Sequence, residues 1–369
     1  MSRLIVRQST YRYEILRPQF FEMMDALGGG RIERNSRVLI KPNLLAAAAP
    51  EQAVATHPLI VRAAVEYVLE RGAQPQITDS PGMGSYAGVM KACGIGPALA
   101  DLKCECREFP RSIRADIGEP FGMIDLAEDA LTIPTMINLP KLKTHGLMGL
   151  TLGVKNVFGC VIGLRKAEWH LKTAGNRDIF ARLLVQIYER IRPSFTVLDG
   201  ILSLEGEGPG KRGKPRQIGV LMGSRDAFAV ERAVCQMVGF PPERLPILAA
   251  AKVLGIMSEP VEIEGILPAI RGFDLRPLTP HAMGPQRLQG LAKRYFLARP
   301  ACEAPLCQAC SKCGEICPVQ AISFRHEDLR FDYDKCIRCY CCIEICPHGA
   351  LHSVEPMGGK IFRKLSARR

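Results

Sequence analysis

Short apolar runs alternate with longer stretches of helical periodicity over the first 280 residues of the chain. The runs are rich in β-branched residues and lack in-and-out alternation, which is typical of parallel strands buried on both faces. They are RVLI (37–40), QIT (76–78), TMIN (135–138), FTVL (195–198) and IGVLM (218–222). Strands that alternate with helices predict an α/β fold with a mainly parallel sheet flanked by helices.

Two of the intervening helices have recognisable ends. HPLIVRAAVEYVLERG has Pro58 in its first turn and Gly72 at its stop, as helix starts and ends prefer. NRDIFARLLVQIYERIRP has Asn176 as a cap and ends at Pro193. The predicted inward residues are Val61, Val65, Val68 and Leu69 in the first helix and Ile179, Leu183, Leu184, Ile187 and Ile191 in the second.

Polar side chains follow almost every predicted strand. Ligands of open α/β sheets bind beyond the carboxyl ends of the strands, so we expect these residues to converge on one edge. Each alone is explained as an ordinary loop residue, but the set predicts a binding site. The residues are Lys41, Asn43, Asp79, Ser80, Lys141, Lys143, Thr144, His145, Asp199, Ser224 and Asp226.

The densest polar segment is LPKLKTHGLMGLTLGVKNVFG (139–159). Its lysines predict a site for a carboxylate or phosphate, and the apolar flanks argue against the alternative of a solvated basic loop. The predicted substrate-binding residues are Lys41, Asn43, Asp79, Lys141, Lys143, Lys155, Asn156 and Asp199. His145 is the candidate catalytic proton donor, because histidine exchanges protons near neutral pH. Downstream, RKAEWH (165–170) is either a further acid–base group or a surface helix end.

Two glycine-rich segments resemble nucleotide-binding motifs and fail on inspection. GEGPGKRG (206–213) has Glu205 where a phosphate loop needs its first glycine and Arg212 where it needs Ser or Thr. We therefore predict a mobile loop or lid there. GMGSYAG (82–88) misses the dinucleotide spacing by one residue, so a nicotinamide cofactor is not supported.

Two cysteine motifs near the C-terminus share the spacing C-x2-C-x2-C-x3-C-P. They are CQACSKCGEICP (307–318) and CIRCYCCIEICP (336–347). In two-cluster ferredoxins three cysteines of each motif hold one 4Fe-4S cluster and the fourth holds the other. The predicted ligands are Cys307, Cys310, Cys313 and Cys346 for cluster 1 and Cys336, Cys339, Cys342 and Cys317 for cluster 2. A zinc ribbon also uses paired C-x2-C units, but it has no use for the third cysteine.

The segment around these motifs (301–355) resembles the bacterial two-cluster ferredoxins, with ISFRHEDLRFDYDK predicted to form a hairpin between them. Cys302 and Cys341 depart from the simple pattern, and we expect them to be buried or bystander thiols. We therefore predict a small C-terminal α+β ferredoxin-like domain.

The formal net charge of +12 is unevenly distributed, since residues 301–355 carry eight acidic and five basic side chains. A basic body suits an acidic redox partner or anionic substrates, and sparse aromatics and the lack of a binding motif argue against nucleic acid. No apolar run reaches the ~18 residues of a membrane helix, and no secretory signal is visible. We expect a cytoplasmic protein whose fifteen cysteines serve metal rather than disulfides.

The segments IKPNLL, TDSPG, INLPKLKTHGLMGLTLGVKNVFG and VLDGI, in that order ahead of a double ferredoxin motif, resemble the domain-of-unknown-function family 362 (DUF362) over about residues 1–270. The resemblance implies the iron–sulfur domain but no particular reaction or catalytic residue. We predict an α/β domain (1–280), a linker arm (281–300), a two-cluster domain (301–355) and a basic tail (356–369).

Three functions fit the sequence. The first is a ferredoxin-coupled oxidoreductase that acts on an anionic small molecule bound by the α/β domain. The second is a ferredoxin-type electron carrier whose α/β domain is a docking or assembly module. In the third, the clusters are structural and the α/β domain performs chemistry that involves no electron transfer.

Overall fold

The computed structural model describes residues 2–163, 165–257, 261–278, 295–326 and 328–360. Most of the predicted linker arm and of the basic tail lies outside these ranges. We call residues 2–278 the body and residues 299–354 the C-terminal domain.

The body is built on a ten-stranded mixed sheet with the strand order β12-β1-β11-β10-β7-β2-β3-β4, and β8 joins β10 and β9 beside this path. The strands are β1 (Ser2–Gln8), β2 (Arg37–Pro42), β3 (Gln74–Ile77), β4 (Glu105–Cys106), β7 (Thr135–Leu139), β8 (Lys141–His145), β9 (Gly149–Thr151), β10 (Phe195–Gly206), β11 (Gly213–Ser224) and β12 (Val261–Glu264). A separate hairpin consists of β5 (Ser112–Asp116) and β6 (Met123–Ala127).

Helices cover both faces of the sheet and bury two apolar cores against it. The helices are α1 (Tyr13–Ala26), α2 (Pro58–Glu70), α3 (Tyr86–Ala92), α4 (Ile95–Ala98), α5 (Glu128–Thr132), α6 (Gly153–Asn156), α7 (Arg165–Lys172), α8 (Arg177–Ile191), α9 (Ala227–Val238) and α10 (Pro246–Val253). One core packs α1 to α4 against the sheet, and the other packs α8 to α10 against the opposite face. The α/β fold with a mainly parallel sheet is thereby confirmed.

The C-terminal domain is a small α+β unit. Its elements are β13 (Arg299–Cys302), α11 (Lys312–Glu315), β14 (Ile322–Arg325), β15 (Asp328–Phe331), α12 (Cys341–Ile345) and β16 (Leu351–Val354). The hairpin between the cysteine motifs forms as predicted, with β14 antiparallel to β15, and β13 pairs with β16 to close the domain.

Several local predictions were wrong. The run at 218–222 belongs to β11, which is antiparallel to both β1 and β10, so its C-terminal end lies at the opposite edge of the sheet. Ser224 and Asp226 are therefore not part of the polar edge, and Asp226 instead caps α9 by accepting a hydrogen bond from the Phe228 backbone. Asn176 does cap α8 as predicted, but Ile179 is 43 % exposed because it lies in the first turn, on the outer face.

The segment KLKTH was also wrongly placed in a loop. It forms β8, which pairs parallel with the extension of β10 and antiparallel with β9, and every one of its residues is buried. The extra strand carries its lysines into the interior, where an amine needs a partner or loses its proton.

Candidate functional site

Buried lysines lie at the carboxyl edge of the parallel strands. Lys41, at the end of β2, is fully buried and pairs with Asp79 after β3, with 2.8 Å between Nζ and Oδ1. Gly159 packs directly on this pair, and a Cβ there would overlap both side chains. The Asp79 carboxylate also accepts a hydrogen bond from the Leu44 backbone. This pair is self-neutralised and closely surrounded.

A second buried pair joins β8 to β10. Lys141 Nζ lies 2.8 Å from Asp199 Oδ2 and donates to the Tyr11 hydroxyl, which itself donates to Asp199 Oδ1. The His57 ring stacks on Tyr11 at 3.5 Å, and the His57 backbone N–H completes the carboxylate shell. Burial and the Asp199 charge raise the pKa of Tyr11 far above its ordinary range. This hydrogen-bond network joins β8 and β10 to the segment after β1, which carries Tyr11, and to the start of α2, which follows His57.

Among the three lysines that are fully buried in the described part of the chain, Lys143 is the one without an acidic partner in direct contact. Its Nζ donates to Asn43 Oδ1 at 2.6 Å and to the Val54 carbonyl at 2.7 Å, both neutral acceptors. Asn43 continues into a chain of amide hydrogen bonds through Asn156 to Asn138. Burial, helped by the charges of neighbouring lysines, lowers the pKa of Lys143 to about 7. Its amine is thus available in both protonation states near neutral pH.

The region carries more lysines than acids. Lys155 is half-buried and makes no hydrogen bond or ion pair with the described residues, although it lies close enough to Lys143 to lower that residue's pKa. Lys166 donates to the hydroxyl and carbonyl of Ser80, and burial lowers its pKa to about 8. The charged groups of this region are five lysines, Lys41, Lys141, Lys143, Lys155 and Lys166, and three acids, Asp79, Asp199 and Glu344, so the lysines outnumber the acids by two. An added anion would be stabilised.

His145 faces the C-terminal domain. Its Nδ1 accepts hydrogen bonds from the backbone N–H groups of Leu147 and Met148, so the neutral ring carries its proton on Nε2. That atom lies 2.9 Å from an oxygen of Glu344 in α12, although the N–H does not point straight at it. Burial lowers the pKa of His145. Burial alone would raise the pKa of Glu344, but the neighbouring His145 and Lys155 lower the Glu344 pKa to about 2.

The glycine-rich loop between β10 and β11 packs against the C-terminal domain. A Cβ on Gly210 would stand 2.6 Å from the Glu344 carbonyl oxygen, so the two backbones are in close contact. Arg212 reaches Glu303 at 2.9 Å and the Gly349 carbonyl at 3.0 Å. Gly175, after α7, meets the carbonyl of Ile337 in the second cysteine motif just as closely. The structure therefore shows a docked hairpin end where we predicted a lid.

The four cysteines of the first predicted set line one small cavity, together with Phe324 and Leu329 of the hairpin. Cys310 is exposed and the other three, Cys307, Cys313 and Cys346, are half-buried. Among the described residues no three His, Cys, Asp or Glu side chains lie close enough to hold a single metal ion.

The second set is more deeply buried. Cys339 and Cys342 are each 8 % exposed. Burial raises the pKa of Cys342, with help from the neighbouring thiols of Cys339 and Cys336, of Cys313 from the first set, and of Cys317. In both motifs the cysteine before the proline accepts a backbone N–H at 3.3 Å, from Ala321 to Cys317 and from Ala350 to Cys346. Thiolates that hold a cluster are stabilised by such donors, so these loops fit an iron–sulfur cluster.

The structure brings most of the predicted substrate-binding residues together, but in pairs with one another rather than around an open pocket. His170, proposed as an acid–base group or helix end, is instead buried and stacked 4.2 Å from Phe180. Three site residues escaped the sequence: Tyr11, His57 and Glu344. Tyr11 follows β1, whose apolar run RLIV was the available signal, whereas nothing local marks Glu344 as a neighbour of His145.

The fold and the cysteine loops define an α/β protein with a ferredoxin-type iron–sulfur domain. Family models bear this out: one described as a domain of unknown function (DUF362) matches residues 38–236, and one described as a 4Fe-4S dicluster domain matches residues 306–350. The chain belongs to the DUF362 family.

Similar proteins extend the picture. A thylakoid-associated protein of Synechocystis is 35 % identical over 261 residues, which is 70 % of this chain and 81 % of that protein. A probable iron–sulfur protein of the frd operon of Proteus vulgaris is 35 % identical over 66 residues, which is 17 % of this chain and 40 % of that protein.

Two solved structures are similar at low identity. The lactate racemase apoprotein of Thermoanaerobacterium thermosaccharolyticum has a TM-score of 0.41 at 12 % identity, covering 61 % of this chain and 54 % of its own. A protein of Thermotoga maritima has a TM-score of 0.38 at 13 % identity, covering 87 % and 86 %. Within the described ranges, no helix combines the length and apolar character that crossing a membrane requires.

Proposed function

We propose that the C-terminal domain holds two 4Fe-4S clusters. The ligands would be Cys307, Cys310, Cys313 and Cys346 for one cluster and Cys336, Cys339, Cys342 and Cys317 for the other. The cavity lined by the whole first set and the matching N–H donors of the two motifs support this assignment. Such clusters supply one-electron transfer when they are bound.

We further propose that the chain is an oxidoreductase that reduces or oxidises an anionic small molecule bound by the body. The observation that carries this proposal is a surplus of buried and half-buried lysines at the carboxyl edge of the sheet, where Lys143 and Lys155 lie close to Glu344 of α12. Lys155 and Lys166 would hold the anion, because their charges are not cancelled by an ion pair, and Lys143 would lie close by with a titratable amine. His145 would hold a proton on Nε2 at the boundary with the C-terminal domain.

The rival function, an electron carrier with a docking module, is favoured by a specific contact. The carboxylate that faces His145 belongs to Glu344 of the chain itself, so part of the basic region serves to seat the C-terminal domain. The close contacts of Gly210 and Gly175 with that domain point the same way.

Anaerobic native mass spectrometry tests both functions, because it weighs bound metal and bound small molecules together. The oxidoreductase proposal expects about eight irons and an anionic molecule that is lost in Lys155→Met and Lys166→Met but retained in Lys252→Met, which removes an exposed lysine on α10. The same irons with an empty body in every variant would support the carrier. Zinc in place of iron would overturn the cluster assignment.

A kinetic test addresses His145. We expect His145→Ala to keep its clusters but to lose reoxidation of the reduced protein by the molecule identified in the mass spectrum. Normal reoxidation would remove His145 from the reaction and leave it as a docking residue. The division of the chain near Pro300 and the cytoplasmic location stay predictions, and the name of the Synechocystis relative makes a membrane-associated location the alternative to test by fractionation.

A further inference from the structure

Arg338 is a buried arginine with unsatisfied donors inside the second cysteine motif. It lies between Cys336 and Cys339, is 5 % exposed, and adopts a left-handed backbone conformation with φ of 62°. Its Nε and Nη1 atoms are buried and find no hydrogen-bond partner among the residues that the structure describes. The guanidinium also lies over the Tyr333 ring at 5.2 Å, a contact that uses its face rather than its N–H groups.

The first motif provides an internal comparison. The two motifs repeat at an interval of 29 residues (336 minus 307), and the position equivalent to Arg338 is Ala309. Ala309 has the same left-handed backbone, with φ of 47°, so the loops share a conformation and differ in the side chain. The basic residue nearest to this position is Lys312, which is exposed. A buried positive charge is therefore specific to the second loop.

The physical chemistry of the guanidinium requires an acceptor. An arginine stays protonated in proteins, and a buried charged donor without a partner is strongly unfavourable. The loop that contains Arg338 also supplies three of the four cysteines proposed for the second cluster, whose thiolate sulfurs are negatively charged acceptors. Hydrogen bonds to such sulfurs and charges near a cluster set its reduction potential.

We propose that Arg338 donates hydrogen bonds to the sulfurs around the cluster held by Cys336, Cys339, Cys342 and Cys317, and thereby raises the reduction potential of that cluster above that of its neighbour. This inference rests on the proposed two-cluster assignment. Because the second motif is the one packed against the body at Gly175 and Gly210, the cluster that holds the electron more tightly is the one beside the body. The exposed loop at Cys310 is then left to face the redox partner.

The test is a redox titration of the full chain, purified without oxygen and followed by electron paramagnetic resonance. In Arg338→Ala we expect the reduction equilibrium of one cluster to become at least tenfold less favourable, which is about 59 mV for one electron, while the other cluster changes little. Arg338→Gln keeps a side chain of similar length without the charge and should shift in the same direction. Lys312→Ala removes an equal charge from the exposed side and should leave both potentials in place, because water screens that charge.

The possible results distinguish the role of Arg338 from the two-cluster proposal on which it rests. A wild-type chain without two sets of iron–sulfur signals would refute the two-cluster proposal itself. Two intact clusters whose potentials are the same in the wild type, Arg338→Ala and Arg338→Gln would refute the role of Arg338 alone. If Arg338→Ala fails to assemble, Arg338→Gln decides, and an unchanged potential there overturns the inference.

Discussion

Replacing Lys143 by methionine should destabilise the protein at pH 7 less than the same replacement of Lys141, a buried lysine that is paired with an acid. The Lys143 side chain is 1 % exposed, and its amine is paired with two neutral oxygens rather than with an acid. A pKa lowered from 10.5 to about 7 means that the folded protein disfavours the charge that the unfolded chain keeps. Methionine has a similar shape and no charge.

The magnitude follows from the pKa. Each tenfold step is worth about 1.4 kcal/mol, so a fall from 10.5 to about 7 corresponds to roughly 4 to 5 kcal/mol of lost stability at pH 7. Methionine removes this cost but leaves the oxygens of Asn43 and Val54 without their donor, at about 1 to 3 kcal/mol each. Because the two oxygens together cost about 2 to 6 kcal/mol, the expected net effect lies between a loss of about 2 kcal/mol and a gain of about 3 kcal/mol.

The sign of the pH dependence gives a second readout. The folded pKa of Lys143 lies below the unfolded one, so between pH 7 and 10.5 the unfolded chain binds more protons and the contribution of Lys143 to stability improves as the pH rises. The wild type should therefore gain about 2 kcal/mol of stability relative to Lys143→Met from pH 7 to pH 9.

Urea unfolding of the anaerobic full chain, followed by circular dichroism, measures these differences. The matched control is Lys141→Met, which strands the buried Asp199 carboxylate and should cost about 3 to 5 kcal/mol. A Lys143→Met variant as unstable as Lys141→Met, or one whose difference from the wild type does not move with pH, would show that Lys143 is stabilised as a charged group and that this reasoning is wrong.

Three further predictions concern packing and metal. Gly159→Ala should lower the free energy of unfolding by about 1 to 3 kcal/mol in the urea assay, because its Cβ would overlap Asp79 and Lys41; an unchanged midpoint would contradict this. Gly210→Val should loosen the C-terminal domain at the Glu344 backbone and speed its release by a protease, whereas an unchanged cleavage rate would mean that this contact is not needed for docking. Removing iron with a chelator should expose the C-terminal domain to the protease while the body keeps its cooperative unfolding, and equal protection with and without iron would argue against a cluster that supports the fold.

The parallel part of the fold was predictable because buried strands and capped helices leave local signals. Apolar runs located β2, β3 and β7, and a proline and an asparagine marked where α2 and α8 begin. Strand direction leaves no such signal, which is why β11 was misplaced: an apolar run reads the same whether its neighbour is parallel or antiparallel.

The sequence located the polar residues at the sheet edge but not their pairings. From the sequence alone, each lysine is a candidate for binding an external anion. In the structure, however, Lys41 and Lys141 form ion pairs with Asp79 and Asp199, which also follow predicted strands. Such partners come from different strands and meet only when the sheet forms. The contact of His145 with Glu344 spans almost two hundred residues and two segments of the chain, so no local pattern announces it.

The contact between His145 and Glu344 bears on the function of the body. If the basic region served only to seat the C-terminal domain, Glu344 would need only one or two basic partners. The other lysines would then lower the stability of the fold without contributing to docking. Instead Lys143, Lys155 and Lys166 remain without an acid in direct contact after Glu344 is in place, and two of them have pKa values of about 7 and about 8. Buried amines with lowered pKa values are expensive in stability and cluster at functional sites. The docking contact and the proposed anion site are therefore compatible with each other, because α12 brings the second cysteine motif and Glu344 to the edge of a region that keeps uncompensated positive charge.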